Sequence, residues 1–130
     1  MGYIKQLSIP EDIDLVNLNK LKEIIGTKIY WYPNYIELKD VCNMINDVEE
    51  VNKQYQDWSE KSKEWHIGRI KYFVNNPNKI TPITVDDGCN GDIKILDGCH
   101  RYLAKLYLEH KTIECFYSGL VSNLEWLKDV

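Results

Sequence analysis

The stretch Ile95-Leu96-Asp97-Gly98-Cys99-His100-Arg101-Tyr102-Leu103-Ala104 constrains this chain most, because it must leave a strand and begin a helix around one glycine. Ile93 and Ile95 alternate with Lys94 and run into Leu96, which is strand periodicity. Gly98 permits a turn where a side chain would clash. Beyond it, Leu103, Leu106 and Tyr107 recur at helical spacing. The reading is the end of a buried central strand, a one-glycine turn and the first turn of a helix. First-turn N–H groups have no acceptor within the helix, and together with the helix dipole they favour an anion. Arg101 adds a rigid guanidinium fork and His100 a further donor. Cys99 lies among them, where a positive field favours the thiolate. The segment is therefore a candidate phosphate seat. The plain alternative is an ordinary strand-glycine-helix junction with a surface His-Arg pair.

The rest of the chain sets the frame for that junction. Its 130 residues suit one domain with a real core, and 44% apolar with 28% charged residues is ordinary for a globular protein. The net charge is −4, with the acidic excess in residues 1–60 and near balance in residues 61–130. That argues against a broad basic face for nucleic acid. No apolar run approaches the ~20 residues of a membrane helix, and no secretion-signal pattern opens the chain. Cys42, Cys89, Cys99 and Cys115 include no CxxC pair, so a zinc site is not expected, and free thiols in a reducing cytoplasm are.

In chain order, Ser8-Ile9-Pro10-Glu11 reads as a helix start, followed by an apolar stripe at Leu15, Leu18, Leu21, Ile24 and Ile25 that stops at Gly26. Lys28–Trp31 reads as a strand broken at Pro33, and Tyr35–Leu38 as a second strand or the entry to a helix. The cluster Tyr30, Trp31, Tyr32 and Tyr35 reads as half-buried strand aromatics or as a base-stacking platform. Val41, Met44, Ile45, Val48, Val51 and Tyr55 form a second helical stripe, with a loop or continuing helix up to Trp65. Trp65–Val74 is a third helix burying Ile67, Ile70, Phe73 and Val74. His66 and Arg69 share one of its faces, as a second phosphate-binding wall or a surface pair. Asn75-Asn76-Pro77-Asn78 ends that helix. Ile80–Val85 is a strand with Pro82 near its start, as an edge allows. Asp86–Asp92 is a reversal, with calcium binding a minor option. Ile113–Tyr117 is a strand, and Ser122-x-x-Glu125 a capping box opening a last short helix with Leu124, Trp126 and Leu127.

Asp97-Gly98-Cys99-His100-Arg101-Tyr102-x-Ala104 resembles the signature of the ParB/sulfiredoxin superfamily. ParB-like domains carry Asp-Gly-x-His-Arg there, and sulfiredoxins carry Gly-Gly-Cys-His-Arg-Tyr. Arg69-Ile70-x-x-Phe73, Asn76-Pro77 and Ile80-Thr81-Pro82-Ile83-Thr84-Val85 are similar to the helix, loop and strand before that motif, and Thr112–Tyr117 to the strand after it. The resemblance covers about residues 64–117. It implies an α+β fold of ParB/sulfiredoxin type: a small mixed sheet with helices around it, here as one domain over 1–130, with a core at 61–120 and an N-terminal helix-and-strand extension over 1–60.

The resemblance also implies a nucleotide (ATP, ADP or CTP, with or without Mg²⁺) whose phosphates rest on Gly98, Cys99, His100 and Arg101, with His66 and Arg69 reaching from the other wall. Three outcomes stay open: nucleotide binding with or without phosphoryl transfer, sulfiredoxin-type repair of a cysteine sulfinate, and a non-enzymatic interaction module. Cys99 and Asp97 are the catalytic candidates; Cys99 would serve as the sulfiredoxin thiolate, and Asp97 would orient Arg101 or a metal-bound phosphate. Asp97 stands where sulfiredoxins have glycine, and Trp65 where they carry a phosphate-binding lysine. No helix-turn-helix follows the motif, so sequence-specific DNA binding is not expected. A protein partner or a second copy of the chain is, and the interaction-module reading places it in a phage, plasmid or bacterial operon; the richness in Asn, Ile and Lys suggests an AT-rich genome.

Overall fold

The computed structural model describes residues 11–53, 61–89 and 91–129. Among them the fold is mixed α+β, with a four-stranded mixed sheet, a two-stranded ribbon and five α-helices. None of these helices is long and apolar enough to cross a membrane. The chain divides into two compact units, each assembled from separated segments.

The first unit takes residues up to Gly26, then Pro82–Cys99, then the chain from Lys111 on. Its strands are β1 (Ile13–Asn17), β4 (Ile83–Asp86), β5 (Lys94–Asp97) and β6 (Thr112–Ser118), in the order β1-β6-β4-β5. β1 pairs antiparallel with β6, β4 parallel with β6, and β4 antiparallel with β5 through a bulge at Thr84/Val85. Val16, Ile83, Val85, Ile113, Cys115 and Tyr117 are buried. Helices α1 (Leu18–Ile25) and α5 (Val121–Lys128) complete the unit. Asn17 caps α1 through its side-chain oxygen, which accepts from the N–H groups of Asn19 and Lys20 at 2.9 and 3.2 Å.

Four expectations are corrected in this unit. Leu15 is not on the first helix but on β1, because backbone pairing with β6 outweighs the helical spacing of Leu15, Leu18 and Leu21. The expected start at Ser8 lies outside the described residues. β5 is an edge strand with Leu96 56% exposed, not a buried central strand, and β4, expected at an edge, is interior. Pro82 is compatible with that because it precedes β4, so its missing N–H breaks no ladder bond. Ser122 is not the N-cap: α5 starts two residues earlier than expected, with Leu120 as its N-cap and no side-chain cap bond from it.

The second unit takes Thr27–Thr81 and His100–His110. β2 (Lys28–Trp31) and β3 (Asn34–Glu37) form an antiparallel ribbon, and β3 runs directly into α2 (Leu38–Met44). The Glu37 N–H donates to Asp40 at 3.0 Å, fixing that start. α2 ends in a short 3-10 turn at Ile45–Asp47, so the expected helix through Val48 and Val51 stops early; its Tyr55 lies outside the described residues. The segment after it is instead tied to α3 (Lys63–Asn75). The Val51 N–H donates to the Gly68 carbonyl at 3.0 Å, and Lys71 Nζ to the Val48 carbonyl at 2.7 Å. α4 (Cys99–Tyr107) runs from the last residue of the first unit into the second, where Tyr102, Leu103, Ala104 and Leu106 are buried.

Candidate functional site

The junction turns as its glycine required. Gly98 has φ 105°, in the range where a side chain is strained. Asp97 ends β5 and is exposed, and Cys99, half-buried, opens α4. His100 and Arg101 follow in the first turn.

Within the second unit, α3 and the start of α4 bring four basic side chains together. His66 and Arg69 are not a surface pair: they are 0% and 6% exposed. His100 is 6% exposed, and its Nε2 lies 2.9 Å from Nδ1 of His66, one ring donating to the other. The two imidazoles are near coplanar, and the indole of Trp31 lies flat over both, with centroids at 4.5 and 4.4 Å. Trp65 meets both edge-on at 5.1 and 5.9 Å. Burial holds the His66 imidazole down at about 4. Burial also lowers His100, with the charges of His66, Arg69 and Arg101 adding to it. Both rings are therefore neutral at pH 7.

Arg69 donates through Nη1 to the Val51 carbonyl at 3.1 Å, and its guanidinium lies 4.8 Å from the Phe73 ring centroid and 5.6 Å from that of Tyr72. Burial lowers its pKa, Tyr72 opposes that, and the Arg101 charge lowers it further. Arg101 donates through Nη1 to the hydroxyl and carbonyl of Thr81, at 2.7 and 3.2 Å. Among the described residues, Arg69 has no carboxylate partner, and the buried atoms Arg69 Nε and His66 Nε2 have no hydrogen-bond partner. Unmet polar atoms beside like charges are costly unless something meets them. An anion supplies what both atoms lack, provided the His66 tautomer places its proton on Nε2.

The seven expected site residues thus divide, with Asp97 exposed at the end of β5. His66, Arg69, His100 and Arg101 meet in one cluster. Gly98 and Cys99 shape the entry to α4. Trp31, expected only as a strand aromatic or part of a stacking platform, and Trp65, not a candidate, join the imidazoles; the signal for Trp31 was its place in the strand phase opposite Tyr30 and Tyr32. Those two tyrosines and Tyr35 are exposed, at 53, 65 and 57%, rather than half-buried.

A different residue organises the first unit. Asp87 is 0% exposed, and its carboxylate accepts from the Tyr117 hydroxyl (2.7 Å), Asn123 Nδ2 (2.8 Å) and the N–H groups of Leu120 (2.9 Å) and Cys89 (2.7 Å). Burial alone would raise its pKa, but these donors outweigh it and hold the carboxyl below its usual range. The carboxylate of this reversal thus ties it to the residue before α5 and to Asn123 within it. Among the described residues, no group of three or more His, Cys, Asp or Glu is gathered to hold a metal.

No family model, no curated protein and no solved structure matches this chain.

Proposed function

We propose that this chain is a ParB/sulfiredoxin-like domain that binds a nucleotide through its phosphates, with the seat at the first turn of α4. The single observation that carries the reading is the cluster of two guanidiniums and two imidazoles, in which buried Arg69 has no carboxylate among the described residues and two donor-capable atoms are unmet. A polyanion neutralises that crowding. Arg101 and Arg69 provide the charge. His100 holds the His66 ring in place, and the Nε2 of His66 faces the ligand. Gly98 gives the α4 backbone its approach to a phosphate.

Charge-assisted bonds contribute about 1.5–3 kcal/mol each, so Arg101→Ala weakens binding of ATP, ADP or CTP by roughly 10- to 150-fold. Calorimetry with and without Mg²⁺ reads this directly. Equal binding by wild type and variant removes the assignment. Absence of nucleotide binding by the wild-type chain removes the function.

A further inference from the structure

The hydrogen bond between His66 Nδ1 and His100 Nε2 uses one proton, and the ring that supplies it decides what His66 offers on its far side. If His66 donates, its Nε2 is bare and repels an anion. If His100 donates, His66 Nε2 carries a proton and is a donor. Adding one proton to the pair removes that choice. The bond between the rings survives, the pair holds a single positive charge, and His66 Nε2 is an N–H whichever ring donated before. That nitrogen is buried without a hydrogen-bond partner, and so is Nε of Arg69, three residues on along α3. We propose that the site takes a dianionic oxyanion group together with a proton, which the His66–His100 pair draws from solvent as the anion binds; the inference rests on the phosphate-binding reading and adds proton uptake to it.

The surroundings of the pair explain why it needs the anion in order to charge. Among the described residues, the charged side chains acting on His100 besides His66 are Arg69 from α3 and Arg101 from α4, both positive. β2 faces the pair with the neutral indole of Trp31, and α3 adds that of Trp65, with Lys61 Nζ 5.8 Å from its ring centroid. Burial and these cations keep the pair neutral at pH 7. An anion reverses the electrostatic part: it offsets the guanidinium charges and accepts a charge-assisted bond from Nε2–H.

The stacking supplies the second argument. The two imidazoles lie within 15° of one plane, and the Trp31 indole covers both, with centroids at 4.5 and 4.4 Å. A π face attracts a cation, and here the charge stays beneath the indole whichever ring holds the extra proton. Linkage then sets the size of the effect. Binding that raises the pair's pKa takes up one proton per anion. Affinity rises by up to ~10-fold for each pH unit below the bound-state value. The rise levels off near pH 4, where His66 charges without help.

Inorganic sulfate is the probe, because it stays a dianion between about pH 5.5 and 7.5, where phosphate groups themselves titrate. Calorimetry on the full chain at about pH 6, in buffers of different ionisation enthalpy, counts the protons taken up. The expected result is net uptake of up to about one proton per sulfate, and an affinity about 3- to 10-fold higher at pH 6 than at pH 7. His66→Gln keeps a polar side chain that cannot charge, and it loses both the uptake and the pH dependence. Because that variant removes a buried ring, the imidazole 15N resonances of the wild type give a reading that needs no substitution. At pH 6 they pass from the neutral to the imidazolium pattern on adding sulfate or, where sulfate binds too weakly, ATP. Rings that stay neutral in the bound complex, or proton uptake unchanged in His66→Gln, overturn this inference and leave the phosphate seat standing. If neither sulfate nor ATP binds at either pH, the seat falls and takes the proton uptake with it.

Discussion

Nδ1 of His66 and Nε2 of His100 lie 2.9 Å apart beneath the indole of Trp31, so two imidazoles from different helices are held neutral as a hydrogen-bonded pair. Burial penalises the charged form of both, and for His100 the charges of His66, Arg69 and Arg101 add to it. Rings that resist protonation make the cluster sensitive to pH.

The pH dependence of stability has a definite sign. The folded-state pKa of each imidazole lies below its unfolded value of about 6.5, and that of His66 falls to about 4. The unfolded chain therefore binds more protons as pH drops through this window. Stability is full above about 6.5 and is lost progressively toward pH 4, at up to ~1.4 kcal/mol per pH unit for each imidazole. Urea melts from pH 7.5 to 4 read the slope. His66→Gln flattens it; an unchanged slope in that variant means other groups carry the acid sensitivity.

Asp87 predicts a second, independent loss. Asp87→Ala leaves four donors unmet and costs about 3–5 kcal/mol, while Tyr117→Phe, which removes one of them, costs about 1 kcal/mol. Because the folded carboxyl lies below its unfolded value, this contribution persists above pH 4 and fades only in stronger acid. Gly119→Ala reproduces much of the damage, since Gly119 has φ 142° and an added Cβ would overlap the Asp87 carboxylate. Chemical denaturation ranks the three; a neutral Gly119→Ala contradicts the close approach.

Gly68 lies inside α3, where alanine ordinarily adds up to ~1 kcal/mol of stability. Here the sign reverses. A Cβ would overlap the Glu49 carbonyl oxygen and lie 2.9 Å from Val51 Cγ2, and such crowding costs about 1–3 kcal/mol. Gly68→Ala is expected to lower the melting temperature and to displace the segment that carries Glu49 and Val51.

Thiol reactivity follows burial. Cys42 and Cys89 are exposed, whereas Cys115 is buried and burial pushes its thiol up to about 12, with Asp14 adding to it. Alkylation of the native chain followed by mass mapping should mark Cys42 and Cys89 and leave Cys115 unmodified until denaturant is added. Cys99→Ser is expected to leave nucleotide affinity within about twofold, since its proposed contribution to binding is a backbone N–H.

Local spacing was enough to read α3 and α4, the β2 strand, the β4–β5 reversal and β6, because each is specified by neighbours within a few residues. Gly98 announced its turn for the same reason, and so did Gly26 at the end of α1. The resemblance to a nucleotide-binding superfamily named His66, Arg69, His100 and Arg101 together, and these four do cluster. What local spacing could not carry was any relation set by distant partners. Leu15 looks helical beside Leu18 and Leu21, yet pairing across nearly a hundred residues puts it opposite Glu114. Strand order, and with it the exposure of Leu96, depends on which ladders form and not on a strand's own composition. Asp87 reads as one more turn aspartate until Tyr117, Leu120 and Asn123 come to it, and Trp31 as one more strand aromatic until two imidazoles slide beneath it. The chain by itself determined its turns and most of its periodic elements, through steric and hydrogen-bonding preferences of near neighbours. Only tertiary folding decided which polar groups lost their water, and that loss is what makes imidazoles neutral, leaves the Arg69 Nε without a partner among the described residues and makes a carboxylate a structural hub.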